Sequence, residues 1–385
     1  MTAEPLELSR ALIRCPSVTP IEAGALDTLE SFLKEIGFSC HRVPLGGGEN
    51  PVVDNLFARI GTEAPHFCFA GHMDVVPPGD VSEWTHGPFD ADVADGLLWG
   101  RGACDMKTGI GCFAAAVADY IAAQPDGLKG SISLLITCDE EGPAIDGTVK
   151  VLDWMAQNGQ VPDVCLVGEP TNPVELGDMI KIGRRGSMNG VITAYGVQGH
   201  TAYGHLAENP IPALIKRLGA ITETQLDTGT DHFPATAAEI TSIDVGNPAS
   251  NVIPAKAHGA FNIRFNDLHT GASLSDWIRE QCDTVDGRYD LEIVISGEAF
   301  LTPPGPFSTI ISDAVAKVTG RTPVLDTAGG TSDARFIKNY CAVAEFGLIN
   351  QTAHKTDEHV RVDDVYALKK IYEAILNGYF DEVTR

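Results

Sequence analysis

Apolar and polar positions follow two different rhythms along this chain. In the first part, short unbroken apolar runs alternate with helical stretches. The stretches "HFCFAGHMDVV", "LLWGRGACDMKTG", "GSISLLITCDEEG" and "DVCLVGEPTN" each read as an apolar strand followed by a loop. "ALDTLESFLKEIGF" carries Leu26, Leu29, Phe32, Leu33 and Ile36 at helical spacing, and "IGCFAAAVADYIAAQ" reads as a buried helix. Apolar strands alternating with helices predict a mostly parallel sheet with helices on both faces.

Near residue 180 the rhythm changes. "IKIGRRGSMNGVITAYGV" reads as one long strand and "NPIPALIKRLGAIT" as a helix with Pro210 near its start, where proline is tolerated. Two strands, "ATAAEITSIDVG" and "VIPAKAHGAFNIRFND", follow, then the helix "LSDWIREQCDTV" and the strand "YDLEIVISG". That β-α-β-β-α-β order is the order of a ferredoxin-like α+β unit. The α/β rhythm then resumes with "TIISDAVAKVTG", "CAVAEFGL" and "VDDVYALKKIYEAILNGYF". We therefore expect a larger domain in two segments, 1–179 and 295–385, with a smaller domain, 180–294, inserted between them.

Composition narrows the possible roles. Lys and Arg number 27 against 52 Asp and Glu, a net charge of −25 over 385 residues. Such a surface is not expected to bind nucleic acid or an anionic membrane without a local basic patch. No basic start followed by an apolar run resembles a signal peptide, and no apolar stretch is long enough to span a bilayer. The nine cysteines are scattered, form no CxxC and lie mostly in apolar runs, which fits a reducing cytoplasm without a disulfide framework.

The chemistry gathers just past the apolar strands. His72 and Asp74 follow "HFCFA", Asp105 follows "LLWG", Glu140 and Glu141 follow "SISLLIT", Glu169 follows "VCLVG", and His354 lies beyond "VAEFGL". One such residue after a strand is commonly a solvated loop residue. Five strands ending this way point to the carboxyl edge of an open α/β sheet, where ligands bind. Imidazoles and carboxylates without thiolates suit zinc, cobalt or manganese at a hydrolytic centre. With a bridging carboxylate, such a set would hold two ions roughly 3.5–4 Å apart and lower the pKa of a bridging water to about 7. Two ionised carboxylates side by side repel, so Glu140 and Glu141 need distinct tasks. One would bind metal, and the other would take the water's proton.

With "GHMDVVP", "GRGACDMKTG", "TCDEEG", "GEPT" and "AHKTDEH", the chain resembles the M20 family of co-catalytic metal-dependent amidohydrolases over nearly its whole length. The resemblance implies a zinc-exopeptidase-like catalytic domain and an inserted lid that also forms a homodimer. It implies two divalent ions per subunit, zinc with cobalt possible. His72 and Glu169 would hold one ion, Glu141 and His354 the other, and Asp105 would bridge. Asp74 would hold His72 from behind, Glu140 would be the general base and then the acid, and His200 would stabilise the oxyanion from the partner's lid. Arg184, Tyr203, Asn251, Arg264, Gly330, Thr331 and Ser332 would hold the carboxylates of a small anionic substrate.

"IGRRGSMNG", "GVQGHTAYGHLAENP", "SNVIPA", "FNIRF" and "GGTSDARF" most resemble the branch that releases succinate from N-succinyl-LL-2,6-diaminopimelate, in lysine and diaminopimelate biosynthesis. The alternatives are acetylornithine deacetylation, carboxypeptidase activity, or a non-catalytic metal-binding dimeric scaffold. Against the scaffold stands Glu140, since a metal store needs no base. Two residues depart from the family pattern: Gly204 stands where proline is usual and Asp357 where asparagine is common. Other residues compete by type alone. His66 precedes its strand, His86 sits in a turn-like stretch and His359 reads as a surface residue. Cys104 and Cys138 read as small packing groups, and adjacent arginines such as Arg184 and Arg185 are often an exposed pair. For one of the two arginines the clamp reading is favoured, because the rest of the chain is so acidic, and a guanidinium fits a carboxylate in two parallel hydrogen bonds.

Overall fold

The structure is a computed structural model that describes residues 4–48, 50–125 and 127–383. It divides into two compact units. The larger runs to Ile182, resumes over Thr302–Asp326, and continues from Ser332 onward; the smaller comprises Gly183–Leu301 and Thr327–Thr331.

The larger unit is built on an eight-stranded sheet. In spatial order its strands are Ser39–Arg42, Leu56–Ile60, Ser131–Thr137, His66–His72, Val164–Val167, Ala342–Glu345, Met179–Lys181 and Val324–Asp326. The four from Ser131–Thr137 to Ala342–Glu345 run parallel. Every residue of Ser131–Thr137 and His66–His72 is buried, as expected where helices cover both faces. One cover is the helix Lys107–Ala122, apolar nearly all round and buried accordingly. Phe113 on this helix stacks on Phe69 of the sheet at a centroid distance of 4.2 Å, and Tyr372 of the helix Val362–Val383 meets Phe69 edge-on at 5.6 Å. Aromatic pairs of this kind add about 0.5–1.5 kcal/mol beyond the area they bury. His66 opens its strand, is buried, and bonds Ser133 Oγ through Nε2 at 2.8 Å, so it serves the sheet.

The strand Leu97–Trp99 corrects one expectation. It does not join the eight-stranded sheet but pairs with His359–Arg361 and Val93–Ala94 in a separate three-stranded sheet. Asp105 therefore arrives on the turn before the helix Lys107–Ala122, rather than on a fifth strand end of the main sheet.

The smaller unit carries a four-stranded antiparallel sheet in the order Ala237–Asp244, Lys256–Phe265, Gly186–Tyr195, Tyr289–Gly297. Burial alternates along Lys256–Phe265 with period two. Its buried positions pack with Leu214, Leu218 and Ile221 of the helix Pro210–Thr222, and Leu274 and Ile278 of Gly271–Asp283. Gly190 is required here, because a Cβ would stand 2.1 Å from the Phe261 ring. The long strand expected from 180 is broken. Met179–Lys181 pairs with Val324–Asp326 and Ala342–Glu345 and so stays in the larger unit. Residue 294 falls inside the strand Tyr289–Gly297, so packing carries the smaller unit on to Leu301. Among the described residues, no helix is long and apolar enough to cross a membrane.

Candidate metal centre

Four neighbouring parallel strands end on one edge of the large sheet. His72 is the last residue of its strand, Glu140 and Glu141 follow Thr137, Glu169 follows Val167, and His354 lies on the segment after Glu345. Side-chain donors from these segments and Asp105, from the turn before the helix Lys107–Ala122, meet in three groups whose ligand atoms lie within 4.8 Å of one another: His72, Asp105 and Glu169; His72, Glu140 and Glu141; and Asp105, Glu141 and His354.

Asp105 faces both histidines. Its Oδ1 is 3.1 Å from His72 Nε2, and its Oδ2 is 3.3 Å from His354 Nε2. His72 Nε2 also lies 3.8 Å from Glu169 Oε1, and His354 Nε2 lies 2.7 Å from Glu141 Oε1. One carboxylate thus joins two imidazole–carboxylate sets, the donor arrangement that a pair of divalent ions requires.

The residues around these groups set their orientation. His72 Nδ1 lies 2.9 Å from the backbone carbonyl of Asp74 and 3.7 Å from its carboxylate Oδ1. The expected support for His72 therefore comes from the Asp74 main chain. The Asp74 carboxylate instead accepts the backbone N–H groups of Glu141 at 3.1 Å and Glu140 at 3.4 Å, and so fixes the paired glutamates. Burial pushes Asp74 up to about 6.

Electrostatics mark the centre as a place for cations. Burial pushes the Glu140 carboxyl up to about 8, reinforced by Asp333, Glu141 and Asp105 and opposed by His72. Burial likewise raises Glu169 well above the carboxylate range. The hydrogen bonds to Asp105 and Glu141 lift His354 to about 10. For His72, burial disfavours the charge, but Asp105 and Glu169 outweigh it and the pKa rises well above 6.5. Carboxylates this crowded and dry require either protons or positive charge, and the oxygen and imidazole donors here fit divalent metal.

Other candidates separate from the centre. Cys104 Sγ donates to the Ile349 carbonyl at 3.0 Å, burial raises both Cys104 and Cys138 well above the ordinary thiol range, and neither belongs to the three donor groups. His86 pairs with Asp92 at 3.1 Å. His359 is half-buried rather than on the surface, against the Trp99 ring at 4.4 Å. Asp357 lies in the left-handed region (φ 59°), where Asp and Asn are the tolerated residues, and accepts from Thr85 N at 2.7 Å. Sequence reasoning missed Arg101 and Glu358. Both are buried charges in stretches already singled out, "GRGACD" and "AHKTDEH", which was the available signal.

The proposed substrate residues belong mostly to the smaller unit. Arg184 is buried and donates from Nη1 to the Gly330 carbonyl at 3.1 Å. Arg264 Nε donates to Asn262 Oδ1 at 3.1 Å. His200, Tyr203, Asn251, Gly330 and Thr331 are exposed, and His200 Nδ1 accepts the Ala202 N–H at 3.0 Å. Ser332 lies in the larger unit, 1% exposed, and its hydroxyl donates to Glu345 at 2.7 Å.

The chain is similar to known proteins over most of its length. The profile of peptidase family M20/M25/M40 matches residues 68–378. A succinyl-diaminopimelate desuccinylase of Rhodospirillum centenum is 56% identical over 380 residues, covering 99% of this chain and 98% of that protein. One of Rhodospirillum rubrum is 56% identical over 391 residues, covering 98% and 99%. Among solved structures, the aminopeptidase PepT of Bacillus cereus superposes with a TM-score of 0.79 at 18% identity, covering 98% of this chain and 99% of its own.

Proposed function

The chain belongs to peptidase family M20/M25/M40, and on that premise we propose that it hydrolyses N-succinyl-LL-2,6-diaminopimelate to succinate and LL-2,6-diaminopimelate. The observation that carries this reading is its nearly full-length similarity to desuccinylases. The complete donor cluster at the strand edge agrees with it.

His72, Asp105 and Glu169 would hold one divalent ion, and Asp105, Glu141 and His354 the other. The donor set suits zinc, and cobalt would replace it. When bound, the ions supply Lewis acidity at the scissile carbonyl and acidify water. Glu140 takes the proton as the water oxygen bonds to the succinyl carbonyl carbon. It then delivers that proton to the amine nitrogen as the C–N bond breaks. A carboxyl that stands beside the proposed ligands His72 and Glu141 is placed for both steps. His200 donates to the oxyanion from the partner subunit of a homodimer.

Arg184, Arg264, Asn251, Tyr203, Gly330, Thr331 and Ser332 bind the substrate's carboxylates. In a chain of net charge −25, such a site depends on local guanidinium groups. The nine free thiols agree with a reducing, cytoplasmic setting.

A substrate panel tests the assignment. Zinc-loaded protein should release amine from N-succinyl-LL-2,6-diaminopimelate far faster than from acetylornithine or short peptides. Faster turnover of either alternative would replace the reading with another amidase of the family.

A further inference from the structure

Two buried charges tie together the segments that present Asp105 and His354. Arg101 and Glu358 are 2% and 0% exposed, and Arg101 Nη1 lies 2.7 Å from Glu358 Oε2. The other carboxylate oxygen of Glu358, Oε1, accepts the backbone N–H groups of Cys104 at 2.7 Å and Asp105 at 3.0 Å. Arg101 donates in return to the opposite segment, from Nη1 to the Lys355 carbonyl at 3.2 Å and from Nη2 to the His354 carbonyl at 3.4 Å. The Gly100 N–H also donates to the Glu358 carbonyl at 2.9 Å. Each side chain therefore grips the segment that carries the other.

The gripped residues are unusual. His354 holds φ at 62°, in the left-handed region that few residues other than glycine adopt, with Asn, Asp and His the commonest among them. Its carbonyl is one of the groups held by Arg101. Asp105 is the carboxylate that faces both histidines, and its N–H is held by Glu358. A buried ion pair is weak evidence of stabilisation, because desolvation offsets the attraction. Here the charges are spent on four backbone groups next to two proposed ligands. A lysine in place of Arg101 would lack the planar fork that reaches two carbonyls and a carboxylate together.

We propose that Arg101 and Glu358 form a positioning pair for the dinuclear centre, fixing Asp105 relative to His354 and thereby setting the affinity of the Asp105–Glu141–His354 site. This rests on the metal reading above. Two of the three donors of that site lie on gripped segments, against one of three, Asp105, in the His72–Asp105–Glu169 site. Loosening the pair should weaken the first site more than the second. A pair that serves only the fold would lower thermal stability and leave both affinities unchanged in the folded protein.

The test is a cobalt titration of the metal-stripped full chain, read by visible absorption, with thermal unfolding of each apo protein measured alongside. His354→Ala identifies which of the two binding steps belongs to the Asp105–Glu141–His354 site. Glu358→Gln keeps an oxygen for the Cys104 and Asp105 amides but loses the charge that holds Arg101. Its dissociation constant for that step should rise about 10–100-fold, as for other groups that orient metal ligands, with a smaller change at the other step. Arg101→Lys keeps the charge and should shift the same step in the same direction by less. Unchanged affinities in folded variants overturn the proposal. If Glu358→Gln does not fold, Arg101→Lys decides, and failure of that variant to fold assigns the pair to the fold alone. Wild-type protein that binds fewer than two cobalt ions refutes the dinuclear reading instead.

Discussion

Glu140→Gln is expected to keep two bound metal ions and to lose about 10²–10⁴-fold or more in kcat. The amide preserves the shape of the side chain and an oxygen, but it cannot accept the water's proton at neutral pH. The test is sharp because Glu140 also stands in a group of potential ligands with His72 and Glu141. If Glu140 were a ligand, its replacement would lower metal content as well as turnover. Glu141→Gln supplies the contrast. Glu141 Oε1 is 2.7 Å from His354 Nε2, so this variant should weaken one metal step. Metal analysis of both variants, together with kcat, separates the roles. Equal metal loss in the two would refute the division.

Activity is expected to reappear when two nearly inactive variants exchange subunits. His200 lies in the smaller unit, whereas His72, Asp105, Glu140, Glu141, Glu169 and His354 all lie in the larger. Removing one oxyanion donor costs about 10²–10³-fold. If that donor comes from the partner, a mixed dimer of Glu140→Gln and His200→Ala holds one intact site and one doubly damaged site. Its rate should approach about half that of a wild-type dimer if the two sites act independently. A donor from the same subunit would leave one lesion in every site. Verified subunit exchange without recovered activity would therefore contradict the trans assignment.

How much of this was legible in the sequence depended on the kind of signal. A parallel strand buried on both faces must be a continuous apolar run, and the first polar residues beyond it must lie at the carboxyl edge. That is why the strands ending near His72, Glu140 and Glu169 could be placed from "HFCFAGH", "SISLLIT" and "VCLV". "LLW" has the same apolar character but is only three residues long, and its partners are His359–Arg361 and Val93–Ala94. Nothing local distinguishes those neighbours from the main sheet. Which Asp74 group meets His72 was hidden for another reason. The spacing of His72 and Asp74 brings both the carbonyl and the carboxylate within reach, and only the fold shows the carboxylate turned to the Glu140 and Glu141 amides. Arg101 and Glu358 are 257 residues apart, so their pairing depends on the packed chain. The return of Thr327–Thr331 to the smaller unit is likewise invisible in a pattern read along the sequence.

The most direct test of the central claim is metal titration of the stripped protein during hydrolysis of N-succinyl-LL-2,6-diaminopimelate. Succinate and LL-2,6-diaminopimelate should be absent without metal, appear as zinc or cobalt is added, and form in equal amounts at a rate that levels off by two ions per subunit. Undiminished hydrolysis by verified metal-free protein, or none with both ions bound, would contradict it.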